Sequence, residues 1–360
     1  MKPIFISDCE GPISKNDNAF ELTAHFMPDG DKVFALVSKY DDVLADVVKK
    51  PGYSAGSTLK LILPFLRAFD VNDRLMEEFS AANLTLIQGS KETLRHIRGV
   101  AEAFIVSTSY EHYIKALCRA VGFPFENTYC TRVSLNDCRV TAKEKAKLKA
   151  TAKELAKTPL ITIPSRAKSL RDLSSADQAT VKRLDEIFWT EIAAMPCGRV
   201  YSEVTTVGGE QKAEAIRDAA AKLRASLADV MYVGDSITDV EAFRLVRDSG
   251  GLAVSFNGNG YAVRCAEVAV MAHNSTVTAV LADVFCRRGK QAALQLVKNW
   301  NLKSLQSSGV DAGLLERFCE AYPSGLPKVQ IVTPENMESL SRESSDFRKK
   351  VRGEAVGKLG

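Results

Sequence analysis

No two of the eight cysteines form a Cys-x-x-Cys pair; they are scattered at positions 9, 118, 130, 138, 197, 265, 286 and 319. That spacing offers neither a redox motif nor a zinc knuckle, and it reads as free thiols in a reducing, cytoplasmic setting. Histidine is scarce: the four residues, at 25, 96, 112 and 273, lie too far apart for zinc-ligand spacing. No apolar run approaches the roughly 18 residues needed to span a bilayer. The N-terminus opens on a strand pattern, where a secretory signal would need a basic start and a longer apolar stretch. An excess of one charge is also missing. Against 44 acidic residues stand 48 basic ones, and the resulting +4 is too small to imply a nucleic acid or an anionic membrane surface as partner. No internal repeat is visible. What the chain does have is 46% hydrophobic residues over 360 positions, enough for one large domain or two smaller ones.

Those hydrophobic residues fall in short runs that read as buried parallel strands: 3–7 (PIFIS), 102–107 (EAFIVS), 127–135 (NTYCTRVSL, less pure), 230–234 (VMYVG) and 251–256 (GLAVSF). Helical patterns such as SYEHYIKALCRAVG and GEQKAEAIRDAAAKLRASL lie between most of them, the alternation of an α/β protein with a parallel sheet. Such a sheet binds ligands beyond the carboxyl ends of its strands.

The residues at those ends are chemically loaded. IFIS runs into Asp8, with Glu10 two places on and Gly11 and Pro12 stopping the strand. Two carboxylates aimed at one small space are costly to bury unless a cation or a proton sits between them. The run AFIV ends in Ser107 and Thr108; VMYVG ends in Asp235, followed by Ser236 and Asp239. Between these lies VGGEQK, where two glycines free the backbone before a helix that begins near Lys212. An ammonium there could neutralise the carboxylates and hold a phosphate. Cys9 reads as a small filler, since anionic neighbours raise a thiol's pKa.

In this order the segments DCEGP, IVSTS, GGEQK and GDSITD resemble the four signatures of the haloacid dehalogenase (HAD) superfamily, mostly magnesium-dependent phosphatases. Each motif alone is weak; all four in order at the ends of apolar runs are strong. Within the superfamily the chain is similar to a little-characterised branch known from archaea, with a D-x-E-G-P opening; YDDVLA and STLKLILPFL share the likeness. The resemblance implies a Rossmannoid α/β core with a helical cap inserted after the first strand. It implies Mg²⁺ held by Asp8, the Glu10 backbone carbonyl and Asp235, with Asp239 nearby. Asp8 would be the nucleophile, Glu10 the general acid and base, and Ser107, Thr108 and Lys212 the phosphate grip. Phosphatases of the superfamily usually carry Asp at the position of Glu10, so its extra methylene must be accommodated. The Asn turn at 257–259 matches one that often follows the last core strand, and makes Asn257 a candidate substrate-loop contact.

This reading divides the chain into a core of 1–13, 86–140 and 198–307, a helical cap at 14–85, a second, mostly helical insertion at 141–197, and an extension at 308–360 that wraps the core or is partly mobile. Substrate choice would lie in the cap, which carries Tyr40, Asp41, Asp42, Tyr53, Lys60 and Arg67. The expected function is hydrolysis of a small phosphorylated metabolite. The alternatives are a slow or non-catalytic phospholigand-binding regulator on the same fold, and an RNA-associated protein using the lysine-rich stretch at 143–157, nucleic acid being the disfavoured partner. Oligomeric state has no signature in the sequence.

Overall fold

The computed structural model describes residues 2–164 and 167–357. A seven-stranded sheet forms its centre: β1 (Ile4–Ser7), β2 (Glu102–Tyr110), β3 (Thr128–Thr131), β4 (Val230–Gly234), β5 (Leu252–Phe256), β6 (Val268–Met271) and β7 (Lys328–Ile331), in the order β3-β2-β1-β4-β5-β6-β7. All neighbours are parallel except β6 and β7. Both faces are covered, as a parallel sheet requires. Alternation along β1 divides its side chains, with Phe5 packing among Ile105, Met231 and Leu281 on one face and Ile4 and Ile6 among Val106, Tyr232 and Phe243 on the other.

β1 lies between β2 and β4, so the chain's crossovers run in opposite directions from it, the topological switch point at which α/β sheets bind ligands. Register puts Ser7 level with Ile105 and with Val233. Asp8, Ser107 and Asp235, one or two residues past those positions, therefore emerge on a single edge.

Two segments depart from the sequence reading. The run 127–135 forms a strand only over Thr128–Thr131, because Val133 and Leu135 turn away to bury themselves among helices. The C-terminal extension joins the sheet: β7 pairs antiparallel with β6, and the helix Met337–Arg352 packs its Leu340 on Val263, Ala269 and Met271. Its turn-rich composition hid a strand only four residues long.

The helices that interrupt the α/β alternation form one body. Asn18–Phe26, Gly30–Asp42 and Thr58–Ala68, from the first interruption, share a hydrophobic core with Ala142–Leu155 and Ser175–Glu186 from the second. Tyr40 fixes the junction: its ring stacks on Phe188 at 5.7 Å, and its hydroxyl donates to Asp185 at 2.5 Å while accepting from the Trp189 indole at 2.8 Å. Three lysines of the lysine-rich helix find partners along the surface of this body. Lys145 pairs with Asp70 at 2.5 Å, Lys147 with Glu191 at 3.1 Å, and Lys149 lies 5.0 Å from the Phe69 ring centre. No helix among the described residues is long and apolar enough to cross a membrane.

Candidate active site

Asp8 follows β1 directly, its N–H continuing the ladder onto the Val233 carbonyl at 2.8 Å. One carboxylate oxygen accepts the Cys9 N–H at 2.6 Å and the other meets the Lys212 ammonium at 2.6 Å. Lys212 is 0% exposed and reaches a second carboxylate, Asp239, at 2.7 Å. Two glycines bring it there: a Cβ on Gly208 would lie 2.2 Å from the Ala55 carbonyl, and Gly209 has φ +55° at the start of the helix Glu210–Lys222.

Asp239 serves as an anchor. One oxygen takes Lys212 and the Tyr232 hydroxyl (2.6 Å), and the other takes the N–H groups of Asp235 (2.8 Å) and Ser236 (2.9 Å). Those bonds, with the charge of Lys212, hold its carboxyl below the usual range even though burial opposes them. Asp8 behaves differently: burial, reinforced by Asp239 and Asp235, pushes its carboxyl up to about 7 against the pull of Lys212. Lys212 brings one positive charge to the two carboxylates it touches, Asp8 and Asp239.

Carboxylate oxygens of Asp8, Asp235 and Asp239 lie within 4.8 Å of one another. An all-oxygen donor set suits a hard divalent cation. Asp8 and Asp235 fit that role best, since both border the open space between sheet and helices, whereas Asp239 does not and is held from behind by Lys212, Tyr232 and two backbone N–H groups.

Asp235 has close company. A Cβ on Gly11, which sits at φ +104°, would fall 2.1 Å from its carboxylate oxygen. Gly11→Ala is therefore expected to cost at least about 2 kcal/mol, from the positive φ and the collision together, and to displace Asp235; urea unfolding and a divalent-cation titration check the two effects.

The same cluster opens on a small cavity of ≈ 90 Å³, lined on the sheet side by Asp8, Glu10, Ser107 and Asp235 and on the helical side by Asp41, Asp42 and Thr58. Ser107 accepts the Ser109 N–H at 3.3 Å, which leaves its own O–H able to donate. Thr108 also borders the cavity, but its hydroxyl donates to the Val207 carbonyl at 2.9 Å, so it is not placed to give that hydrogen to a phosphate. Glu10 accepts the Asn18 N–H at 2.7 Å, tying the end of β1 to the first helix of the helical body. Burial, with Asp17 beside it, raises its carboxyl well above the usual range, which favours the protonated form that a general acid needs. Burial likewise pushes the Cys9 thiol up, with help from Glu10 and Asp8, in keeping with a filler.

Asn257 stands apart. Its amide is taken up by both backbone groups of Ala272, at 2.7 and 2.9 Å, and it does not line the cavity. The structure makes it the brace of a left-handed turn (φ +50°), not a substrate contact.

Sequence reasoning missed Arg348 and Arg352. Both come from the C-terminal helix, both line the cavity, and both donate to the same oxygen of Asp235, Arg352 at 3.0 Å. Arg352 also donates to the carbonyls of Lys15 (2.9 Å) and Asn16. Their only signal in the sequence is an i,i+4 spacing that puts both on one helix face.

A family model for haloacid dehalogenase-like hydrolases matches residues 60–283, more than half of the chain and inclusive of Ser107, Lys212, Asp235 and Asp239. The chain belongs to that family. As a HAD-like hydrolase it has the expected Rossmannoid core, and the helical body, built from the insertion after β1 together with the one after β3, stands as its cap. Gene product AF1437 from Archaeoglobus fulgidus superposes over 100% of this chain and 99% of its own with a TM-score of 0.79, at 24% identity. A substrate-bound phosphoserine phosphatase aligns more loosely, with a TM-score of 0.42 at 12% identity over 76% of this chain and 95% of its own. No curated protein matches the sequence.

Proposed function

We propose that this HAD-like hydrolase is a magnesium-dependent phosphatase of small phosphorylated metabolites, working through an aspartyl-phosphate on Asp8. One observation carries the reading: Asp8, Ser107 and Asp235, distant along the chain, gather at one cavity at the sheet's switch point, with Lys212 buried behind Asp8 and bonded to it. Asp8, Asp235 and the Glu10 carbonyl would hold the cation, with Asp239 anchored behind. Bound there, magnesium would screen the anionic nucleophile from the anionic phosphate and stabilise charge on the transferring oxygens.

An Asp8 carboxylate oxygen attacks phosphorus in line, the bond to the ester oxygen breaks, and Glu10 passes its proton to that departing oxygen. Lys212 holds Asp8 in position, and Ser107 donates to a phosphoryl oxygen. In the second half Glu10, now a carboxylate, takes a proton from water as the water oxygen attacks phosphorus; the bond to Asp8 breaks and inorganic phosphate leaves. The Asn18 N–H bonded to one Glu10 oxygen fixes that side chain against the helical body, which supports a position adapted to its extra methylene. Eight free cysteines support a reducing, cytoplasmic setting.

A panel of phosphorylated metabolites incubated with the protein and Mg²⁺ tests the proposal. Phosphate release that EDTA stops and Mg²⁺ restores is the expected result. Tight binding of a phospholigand with no turnover would instead assign the fold to a regulatory module.

A further inference from the structure

We propose that Arg348 and Arg352 compete with the divalent cation for Asp235, making the C-terminal helix a built-in counter-ion that the metal must displace. The inference rests on the reading of Asp235 as a metal ligand, and adds to it a contest for that ligand.

Both guanidinium groups are enclosed, their side chains 3% and 4% exposed, and both converge on one oxygen of Asp235. Arg348 also reaches the Asp235 backbone carbonyl at 3.2 Å, while its buried Nε has no hydrogen-bond partner among the described residues. Two fixed positive charges within a few ångströms of a cation site repel the cation, and in a buried setting solvent screens that repulsion weakly. Because both guanidinium groups occupy the oxygen the cation needs, they must leave it when the metal binds, and metal binding must supply the cost of that separation.

The helix that carries them can respond as a unit. Its seat on the core includes Leu340 and Phe347 in a small apolar cluster, a bond from Ser344 to the Gly258 carbonyl at 2.7 Å and the ion pair of Glu343 with Lys328; its far end is held by the two arginines. Through Lys15 and Asn16, Arg352 also grips the segment joining β1 to the cap. Metal arrival at Asp235 would thus loosen both the end of the helix and the root of the cap.

Calorimetric titration with Mn²⁺ or Mg²⁺ alone, no substrate present, tests this on the full chain. Arg352→Gln and Arg348→Gln are each expected to bind the ion about tenfold or more tightly than wild type, with Arg352→Lys close to wild type. Unchanged or weaker binding in folded variants would overturn the proposal. Should the variants fail to fold, hydrogen exchange on the wild-type protein decides: added Mg²⁺ should speed amide exchange across 345–352, and exchange that stays the same or slows refutes the competition. Asp235→Asn separates the two levels. If it binds the ion as well as wild type, the assignment of Asp235 as a ligand falls; if it loses the ion while the arginine variants gain nothing, only the competition falls.

Discussion

Asp8→Asn should abolish phosphate release, with a fall in kcat of at least about 1,000-fold, as when a covalent nucleophile is removed elsewhere. The amide matches the carboxylate in shape, so the Cys9 N–H keeps an acceptor and Lys212 keeps Asp239. The variant should therefore fold with a near-normal unfolding midpoint, and the loss would be chemical. Single-turnover assays with wild type should trap phosphate on a tryptic peptide containing residue 8, and the variant should trap none. Turnover by Asp8→Asn within tenfold of wild type would remove the aspartyl-phosphate from the mechanism.

Lys212→Met should be the most damaging single change to stability, at about 3–5 kcal/mol, the range for breaking a buried ion pair by deleting one partner. The energy comes from what remains. Two buried carboxylates, Asp8 and Asp239, would face each other with their shared cation gone, and the apolar replacement could solvate neither. Denaturant unfolding measures the effect. Combining Lys212→Met with Asp8→Asn should cost clearly less than the sum of the two, because the second change removes one of the stranded charges. Strict additivity would mean that Lys212 acts on the two acids independently.

The centre of this fold was legible because buried parallel strands leave a plain mark, short apolar runs, and because the residues that follow them sit on one edge whenever the register is level. Asp8, Ser107 and Asp235 were readable on that ground, and Lys212 from the two glycines that precede its helix. Local pattern could not show how contacts distant along the chain spend a side chain. Thr108 reads as a phosphate donor until Val207 takes its hydrogen, and Asn257 as a substrate contact until Ala272 occupies its amide. Arg348 and Arg352 lay further out of reach: they stand more than a hundred residues beyond Asp235, in a charged segment whose composition resembles any solvated helix. Their burial depends on β7 and its neighbours carrying that helix back across the sheet.

The joint core of the cap bears on how the chain matures. Ribosomes deliver Leu36, Leu61 and Phe65 long before Leu184 and Phe188, the partners that cover them, and some of the sheet's strands emerge in between. For that interval the nascent polypeptide displays greasy helices with nothing to rest against, a state in which chains stick to one another or to chaperones. Lobe and sheet must therefore be finished together, and cutting either half of the cap out would leave the other without a partner to fold on.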